Sequence, residues 1–147
     1  MATSLELILM RHAQAEPVAI DGDDFARPLT APGREAAAHA AKRMPGAAIA
    51  RILFSPAQRT VETAEIVARE WSLPALVMQP VPQMYLATCE VLRSAILLHS
   101  LASVGCILVV GHNPSISELA GELDQRLEQS PLHTAGFWRV RLELPTP

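Results

Sequence analysis

Apolar runs of strand length alternate along this chain with longer segments in which apolar residues recur at helical spacing. The runs predict strands at residues 5–10, 49–54, 76–79, 107–110 and 137–144, and the helical spacing predicts helices at residues 30–44, 57–71, 88–102 and 115–127. This alternation is typical of a layered α/β domain rather than of an all-β or all-α fold. No repeat or linker interrupts it, so we expect one domain across residues 1–147.

Polar residues at particular positions predict where a helix begins, where a loop lies and which helix face is exposed to solvent. Thr30 is the expected cap of the first helix, because its hydroxyl can accept from a free amide of the first turn. Residues 16–29 are rich in Asp, Gly and Pro, which predicts a surface loop. In the second helix the apolar positions form one stripe, so Glu62 and Glu65 are expected on or near the polar face.

Two predicted strands are each followed two residues later by a histidine, and a third is followed by an arginine in the next helix. The first run leads into Arg11 and His12, and the fourth leads into His112. Arg59 lies in the first turn of the helix that follows the second run. Because open α/β sheets bind ligands at the carboxyl ends of their strands, these four side chains predict one shared site.

Arginine and histidine together suit a phosphoryl group. The planar guanidinium binds phosphate oxygens in pairs and stays charged, while a neutral imidazole can attack phosphorus and later release it. Spacing alone leaves either His12 or His112 as the nucleophile. The five histidines have no metal-ligand spacing and the seven glycines are scattered, which disfavours a metal site, a kinase and a dehydrogenase.

Composition narrows the class of protein without indicating a partner. Hydrophobic residues make up 50%, charged residues 18% and the net charge is -3, which excludes a disordered chain and a basic protein that coats nucleic acid. Cys89 and Cys106 lack metal-ligand spacing, so a reduced, cytoplasmic setting is expected. We expect neither export nor membrane insertion, because no secretory signal and no apolar run of about 20 residues is present.

Four segments of the chain resemble, in the same order, the motifs of the histidine phosphatase superfamily. The string LILMRHAQAEP resembles its Arg-His signature, SPAQRTVETAEIV its second arginine segment and VVGHNPSISELA its second histidine segment, with RPLTAPGREAA as a further match. Within that superfamily the set is most similar to the short SixA-type phosphohistidine phosphatases. The resemblance implies a phosphoglycerate mutase-like fold, a three-layer α/β/α sandwich with a largely parallel central sheet and no cap domain.

The same resemblance implies a role for each matching residue. His12 would be the nucleophile that takes the phosphoryl group, Arg11 and Arg59 would hold its oxygens, and His112 would line the pocket as a donor. Arg27 would be a peripheral contact to the substrate or its phosphate. The implied chemistry is that of a metal-independent phosphatase without a cofactor, acting through a covalent phosphohistidine intermediate.

The proton donor to the leaving group is left open. Larger members of the superfamily carry an acidic residue on an inserted segment, whereas residues 60–111 of this chain are taken up by a helix, a short strand and another helix. Glu90 is the nearest candidate for this acid by position, which would make it a substrate-binding residue, and it also fits as a plain acid at a helix start. Other candidates are Glu16 and the first-loop residues from Asp21 to Asp24.

The missing insertion favours a particular substrate. Phosphohistidine expels an imidazole, whose conjugate acid has a pKa of about 6.5, so it depends less on a proton donor than an alkoxide does. An open site would also admit a histidine on another protein. We therefore expect a phosphorylated protein partner, with no role in binding nucleic acid or membranes. The alternatives are a small-molecule phosphomonoesterase of the sugar phosphate type and a non-catalytic module that binds phosphate or phosphohistidine.

Surface roles compete for several of these residues. Arg59 could pair with Glu62 or Glu65 on its own helix. Arg27 could pair with an aspartate of its loop. No role is assigned to His39 and His99. His133 precedes the last strand and could approach the rim of the pocket, but we expect it to be a turn residue.

Overall fold

Five strands and four α-helices make up the part of the chain that the structure, a computed structural model, describes: residues 4–17, 22–100 and 105–144. The strands are β1 (Ser4–Arg11), β2 (Ile49–Phe54), β3 (Met78–Pro80), β4 (Cys106–Gly111) and β5 (Phe137–Glu143). The helices are α1 (Ala31–Lys42), α2 (Gln58–Glu70), α3 (Cys89–Ser100) and α4 (Ser115–Leu123).

The strands form one sheet in the order β3-β2-β4-β1-β5. The first four run parallel, and β5 runs antiparallel to β1 at the edge. The register pairs Arg11 with Gly111 and Phe54 with Val110, so β1, β4 and β2 end side by side. The largely parallel sheet predicted from the sequence is confirmed. The segments that follow these three strands meet at the carboxyl end of the sheet.

Helices cover both faces of the sheet, which gives the three predicted layers. On one face α1 and α2 pack against strand residues such as Ile8, Ile52 and Leu108. On the other face α3 and α4 pack against neighbouring strand residues such as Leu7 and Ile107. Strand β4 lies between two other strands and between the two helical layers, so every one of its residues is buried.

The helices begin largely where the sequence predicts. The Thr30 hydroxyl accepts from the Gly33 amide at 3.0 Å, so the expected cap of α1 is confirmed. Helix α4 ends at Leu123 rather than at Leu127, because the Asp124 carboxylate accepts from the Arg126 amide and begins a separate 3₁₀ turn. The predicted end of α3 at residue 102 lies outside the described residues.

Two details of the sequence prediction are wrong. Leu76 is not in a strand but in a 3₁₀ turn, where 93% of its surface is exposed, and β3 begins at Met78. Glu62 is buried instead of lying on the polar face of α2. Its carboxylate accepts hydrogen bonds from Arg34 and Gln58, and these donors compensate the cost of burying its charge.

Within the described ranges, no helix is long and apolar enough to cross a membrane. The cytoplasmic location stays a prediction.

Candidate active site

His12 is the first residue after β1, and its ring has one nitrogen bound and one free. Its Nδ1 lies 2.7 Å from the carbonyl oxygen of Ala13, so Nδ1 carries the hydrogen and donates it. In a neutral ring this leaves the lone pair on Nε2. The His12 amide donates to the Gly111 carbonyl at 3.1 Å, and the Ala13 amide donates to the Thr63 hydroxyl at 3.1 Å, so neighbouring elements hold the turn on both sides.

His112 occupies the equivalent place after β4, with the opposite ring nitrogen bound. Its Nε2 lies 2.8 Å from the hydroxyl oxygen of Ser55, the residue that follows β2. Its Nδ1 is buried and has no hydrogen-bond partner among the residues that the structure describes. The Ser115 hydroxyl donates to the His112 carbonyl at 3.1 Å, which ties the start of α4 to the same strand end.

The two imidazoles lie next to each other, with ring centroids 5.5 Å apart and an edge-to-face arrangement. Burial lowers the pKa of His12 to about 4 and that of His112 to about 3, and the positive charge of Arg59 acts in the same direction on both. Both rings are therefore neutral at pH 7. A neutral His12 keeps the lone pair that nucleophilic attack on phosphorus requires.

Arg59, in the first turn of α2, is buried beside the histidines and is held from one side. Its Nη1 donates to the Asp24 carbonyl at 2.8 Å and its Nη2 to the Asp24 carboxylate at 3.1 Å, while its Nε is buried without a partner. Thr63 links this helix to the His12 turn, since its hydroxyl donates to the Arg59 carbonyl at 2.8 Å. The alternative pairing of Arg59 with a glutamate of its own helix is not what the structure shows.

Arg11 is half-buried at the end of β1 and reaches the segment before β5. Its Nη1 donates to the Leu132 carbonyl at a long 3.4 Å, and its Nε is buried without a partner. The backbone around it is well anchored, since the Arg11 amide donates to the Gly136 carbonyl at 3.0 Å and the Ala135 amide donates back to the Arg11 carbonyl at 3.1 Å.

Unpartnered buried side-chain nitrogens occur at three places in the described residues, and all three belong to this group. They are the Nε atoms of Arg11 and Arg59 and the Nδ1 of His112. Buried polar groups in folded proteins are nearly always hydrogen-bonded, so a cluster of exceptions needs an explanation. A bound ligand with several acceptor oxygens would supply the missing partners.

Tyr85 and Phe25 form an aromatic wall that sequence reasoning missed. The Tyr85 ring lies edge-on to His112 with centroids 5.7 Å apart, and Phe25 lies edge-on to Tyr85 at 4.9 Å. The Tyr85 hydroxyl donates to the Asp24 carboxylate at 2.7 Å, and this bond raises the pKa of Tyr85. No sequence signal indicated this wall, because Phe25 belongs to the first loop and Tyr85 follows β3, so the two residues are far apart along the chain.

Arg27 lies on the same loop and makes the pairing expected of a surface arginine. Its Nη1 donates to the Asp24 carboxylate at 2.9 Å and its Nε to the Glu16 carbonyl at 2.7 Å. Its charge is near enough to lower the pKa of both His12 and His112. A peripheral contact between Arg27 and substrate stays a prediction.

The structure bears on two of the proton-donor candidates, Asp24 and Glu90. Hydrogen bonds from Tyr85, Arg27 and Arg59 strongly lower the pKa of Asp24, which keeps it ionised and disfavours it as an acid. Glu90 is exposed on the first turn of α3 and lines two surface hollows that include none of the four predicted site residues. Asp21 lies outside the described residues.

The described part of the chain holds no group of three or more His, Cys, Asp or Glu side chains arranged to bind a metal ion. The groups near the histidines instead include the positive charges of three arginines, Arg11, Arg27 and Arg59, and the Ser55 hydroxyl. Cationic and neutral donors of this kind suit an oxyanion rather than a cation.

Comparison with known sequences identifies the family. The sequence profile of the histidine phosphatase superfamily (branch 1) matches residues 7–102, and the chain belongs to this family. The matched segment includes Arg11, His12 and Arg59, whereas His112 follows it. No curated protein sequence matches the chain at a significant level.

Solved structures share the whole fold. A candidate phosphohistidine phosphatase SixA from Agrobacterium tumefaciens is 25% identical, with a TM-score of 0.76 over 95% of this chain and 91% of that one. A similarly described SixA from Nakamurella multipartitia is 26% identical, with a TM-score of 0.74 over 95% and 86%. A protein histidine phosphatase SixA complexed with tungstate, at 22% identity and a TM-score of 0.73 over 95% and 97%, shares the fold. The phosphoglycerate mutase-like fold is confirmed, and the family supports a phosphatase.

Proposed function

We propose that this protein is a metal-independent phosphatase that removes phosphoryl groups from phosphohistidine on a protein partner, through a phosphorylated His12. The observation that carries the proposal is the set of unpartnered buried nitrogens on Arg11, Arg59 and His112. Leaving one buried donor unsatisfied costs about 1–3 kcal/mol, so three of them around one histidine favour a site built for an oxyanion.

The first step is transfer to His12. Its Nε2 lone pair forms a bond to phosphorus while the bond from phosphorus to the substrate ring nitrogen breaks. Because Nδ1 of His12 donates to the Ala13 carbonyl, the ring is held with Nε2 as the free nitrogen throughout. Arg11 and Arg59 balance the negative charge on the transferring oxygens, and the neutral His112 donates a hydrogen bond to one of them.

The leaving group explains how the step proceeds without a placed acid. When the second ring nitrogen of the substrate phosphohistidine carries a proton, the imidazole departs as a neutral molecule and needs no proton from the enzyme. An alkoxide leaving group would need one. Asp24 is held ionised, and Glu90 lines surface hollows that include neither histidine, so neither of these two candidates is placed to supply that proton.

The second step is hydrolysis of the phosphoenzyme. A water oxygen bonds to phosphorus as the bond to His12 breaks, and the electron pair of that bond returns to Nε2. Both protons of the water leave with the phosphate as dihydrogen phosphate, so His12 is regenerated with its hydrogen still on Nδ1.

The arrangement of the segment between Arg59 and His112 supports a protein substrate. The described part of residues 60–111 forms α2, β3 and α3 with short 3₁₀ turns. Helices α2 and α3 pack against the sheet, β3 is one of its strands, and these elements form no cap domain over the histidines. The two neighbours at 25% and 26% identity are both described as phosphohistidine phosphatases.

The test is a comparison of substrates with one enzyme preparation. Phosphate release is measured from a phosphohistidine-bearing carrier domain, from three sugar phosphates and from p-nitrophenyl phosphate. We expect kcat/KM for the carrier domain to exceed that for every sugar phosphate by at least about 100-fold, which corresponds to about 2.7 kcal/mol of transition-state binding. Preference for a sugar phosphate would instead establish the small-molecule phosphomonoesterase, and binding without turnover of any substrate would establish the non-catalytic module.

A further inference from the structure

A fully buried hydroxyl contacts the ring of His112 on the side away from its unpartnered nitrogen. Ser55 directly follows β2 and is 0% exposed, with its Oγ 2.8 Å from Nε2 of His112. A neutral imidazole carries its hydrogen on one nitrogen and accepts on the other. The partner of Nε2 therefore decides whether Nδ1 can donate to a ligand.

The hydrogen-bond inventory around Ser55 indicates the direction of this bond. The Ser55 oxygen already accepts, weakly, from the Ala57 amide at 3.4 Å. If Nε2 of His112 donated to Ser55, the hydroxyl hydrogen would lack an acceptor among the described residues, and the lone pair of Nδ1 would lack a donor. If Ser55 donates to Nε2, the hydroxyl hydrogen and the Nε2 lone pair are both satisfied, and the N–H at Nδ1 is the single unsatisfied group. The second arrangement costs less, because each unsatisfied buried group is expensive.

We propose that Ser55 is a positioning residue, which donates to Nε2 of His112 and so keeps the hydrogen on Nδ1 for the phosphoryl oxygen. This inference rests on the proposed function, because it names the residue that prepares His112 for that role. Ser55 touches no reacting atom. It acts as the Ala13 carbonyl does for His12, but it selects the ring nitrogen by donating rather than by accepting.

A second buried serine beside the same histidine provides a matched control. The Ser115 hydroxyl donates to the His112 backbone carbonyl at 3.1 Å, whereas the hydroxyl bonded to the ring is that of Ser55. Ser55→Ala and Ser115→Ala remove the same atom from buried positions next to His112, but only the first removes a partner of the imidazole. Ser55→Thr keeps a hydroxyl at the first position.

The experiment measures the tautomer and the rate on the same variants. Nitrogen-15 NMR of the wild type is expected to show His112 with an accepting Nε2 and a protonated Nδ1. In Ser55→Ala the hydrogen should move at least partly to Nε2, and kcat/KM for p-nitrophenyl phosphate should fall by about 10- to 100-fold, as expected for the loss of a hydrogen bond to a charged group. Ser115→Ala should keep the wild-type tautomer and a rate within about threefold, and Ser55→Thr should recover the tautomer.

Two results would overturn the inference. One is a wild-type spectrum in which Nε2 of His112 carries the hydrogen, a measurement that does not depend on whether any variant folds. The other is a folded Ser55→Ala protein with wild-type kcat/KM. Loss of turnover in a His12→Ala control, with wild-type turnover in Ser55→Ala, would refute the role of Ser55 while leaving the proposed function intact.

Discussion

The ends of β1 and β4 are equivalent in the backbone but different in chemistry. The two strands are parallel neighbours, Arg11 pairs with Gly111, and a histidine follows each of them. At the end of β1 the Nδ1 of His12 donates to a backbone carbonyl and Nε2 is free. At the end of β4 the Nε2 of His112 contacts the Ser55 hydroxyl, and Nδ1 has no partner within the described part of the chain.

This difference shows how two histidines at neighbouring strand ends can serve, one as a nucleophile and the other as a hydrogen-bond donor. A ring anchored through a donating Nδ1 presents a lone pair, which suits a nucleophile. A ring anchored through an accepting Nε2 presents an N–H, which suits a donor to an oxyanion. The ring partners, rather than the position after a strand, therefore distinguish His12 from His112.

Removing the proposed nucleophile should have the largest effect. We expect His12→Ala to lower kcat for p-nitrophenyl phosphate by at least about 10⁴-fold, because no other ring in the pair presents a lone pair. Steady-state assays over a range of enzyme concentrations measure it. His39→Ala, which replaces an exposed histidine of α1, is the control. Turnover by His12→Ala within tenfold of the wild type would refute the assignment.

Removing the positive charge of Arg59, which lies close to both histidine rings, should cause the next largest loss of activity. Arg59→Ala should lower kcat/KM by about 10³-fold, since an arginine that stabilises transferring phosphoryl oxygens contributes on this scale. Thermal unfolding should remain cooperative, because the core of α2 does not depend on this side chain. The control is Arg69→Ala, at an exposed position of the same helix. Equal rates for the two variants would contradict a role for Arg59 at the phosphoryl group.

Removing the proposed donor should slow the reaction without preventing transfer to the enzyme. His112→Ala should lower kcat by about 10²-fold, the usual cost of one lost donor to an oxyanion. The phosphorylated enzyme should still form, and a quench in alkaline denaturant, which preserves phosphohistidine, would detect it. If His112→Ala failed to form it while His12→Ala succeeded, the two roles would have to be exchanged.

Because both rings are neutral in the folded protein, the free energy of unfolding should depend on pH, and this effect should be smaller than the losses of activity. Because burial lowers both folded pKa values below the unfolded value of about 6.5, protons bind the unfolded chain better, so stability is present above pH 6.5 and falls below it. The free energy of unfolding should decrease between pH 6.5 and pH 5 by up to about 1.4 kcal/mol per pH unit for each histidine. Urea unfolding at several pH values measures this.

A double variant separates the histidines from the carboxylates. His12→Gln with His112→Gln should flatten the dependence between pH 6.5 and pH 5, a window that lies above the titration of Asp24, whose pKa is lowered. A wild-type protein with the same unfolding free energy at both pH values would contradict the burial of neutral rings.

The sequence predicted the layers of the fold and the strand ends that carry the histidines, because hydrophobic periodicity reports burial directly. It placed Leu76 in a strand and Glu62 on a polar face, since neither the turn before β3 nor the pairing of Glu62 with Arg34 leaves a mark in local spacing. The hydrogen-bond partners of the His12 and His112 rings could not be predicted from the sequence either. Ser55 is far from His112 along the chain, and only the register of β2 and β4 brings them together.

The most direct test of the account is the position of the phosphoryl group on the trapped enzyme. Wild-type protein is mixed with a phosphohistidine carrier domain, quenched within milliseconds in alkaline denaturant, digested and mapped by mass spectrometry. We expect a phosphoryl group on the peptide that contains His12 and none on the peptide that contains His112. A phosphoryl group on His112, or release of phosphate with no phosphorylated enzyme at any time, would refute the role of His12 as nucleophile.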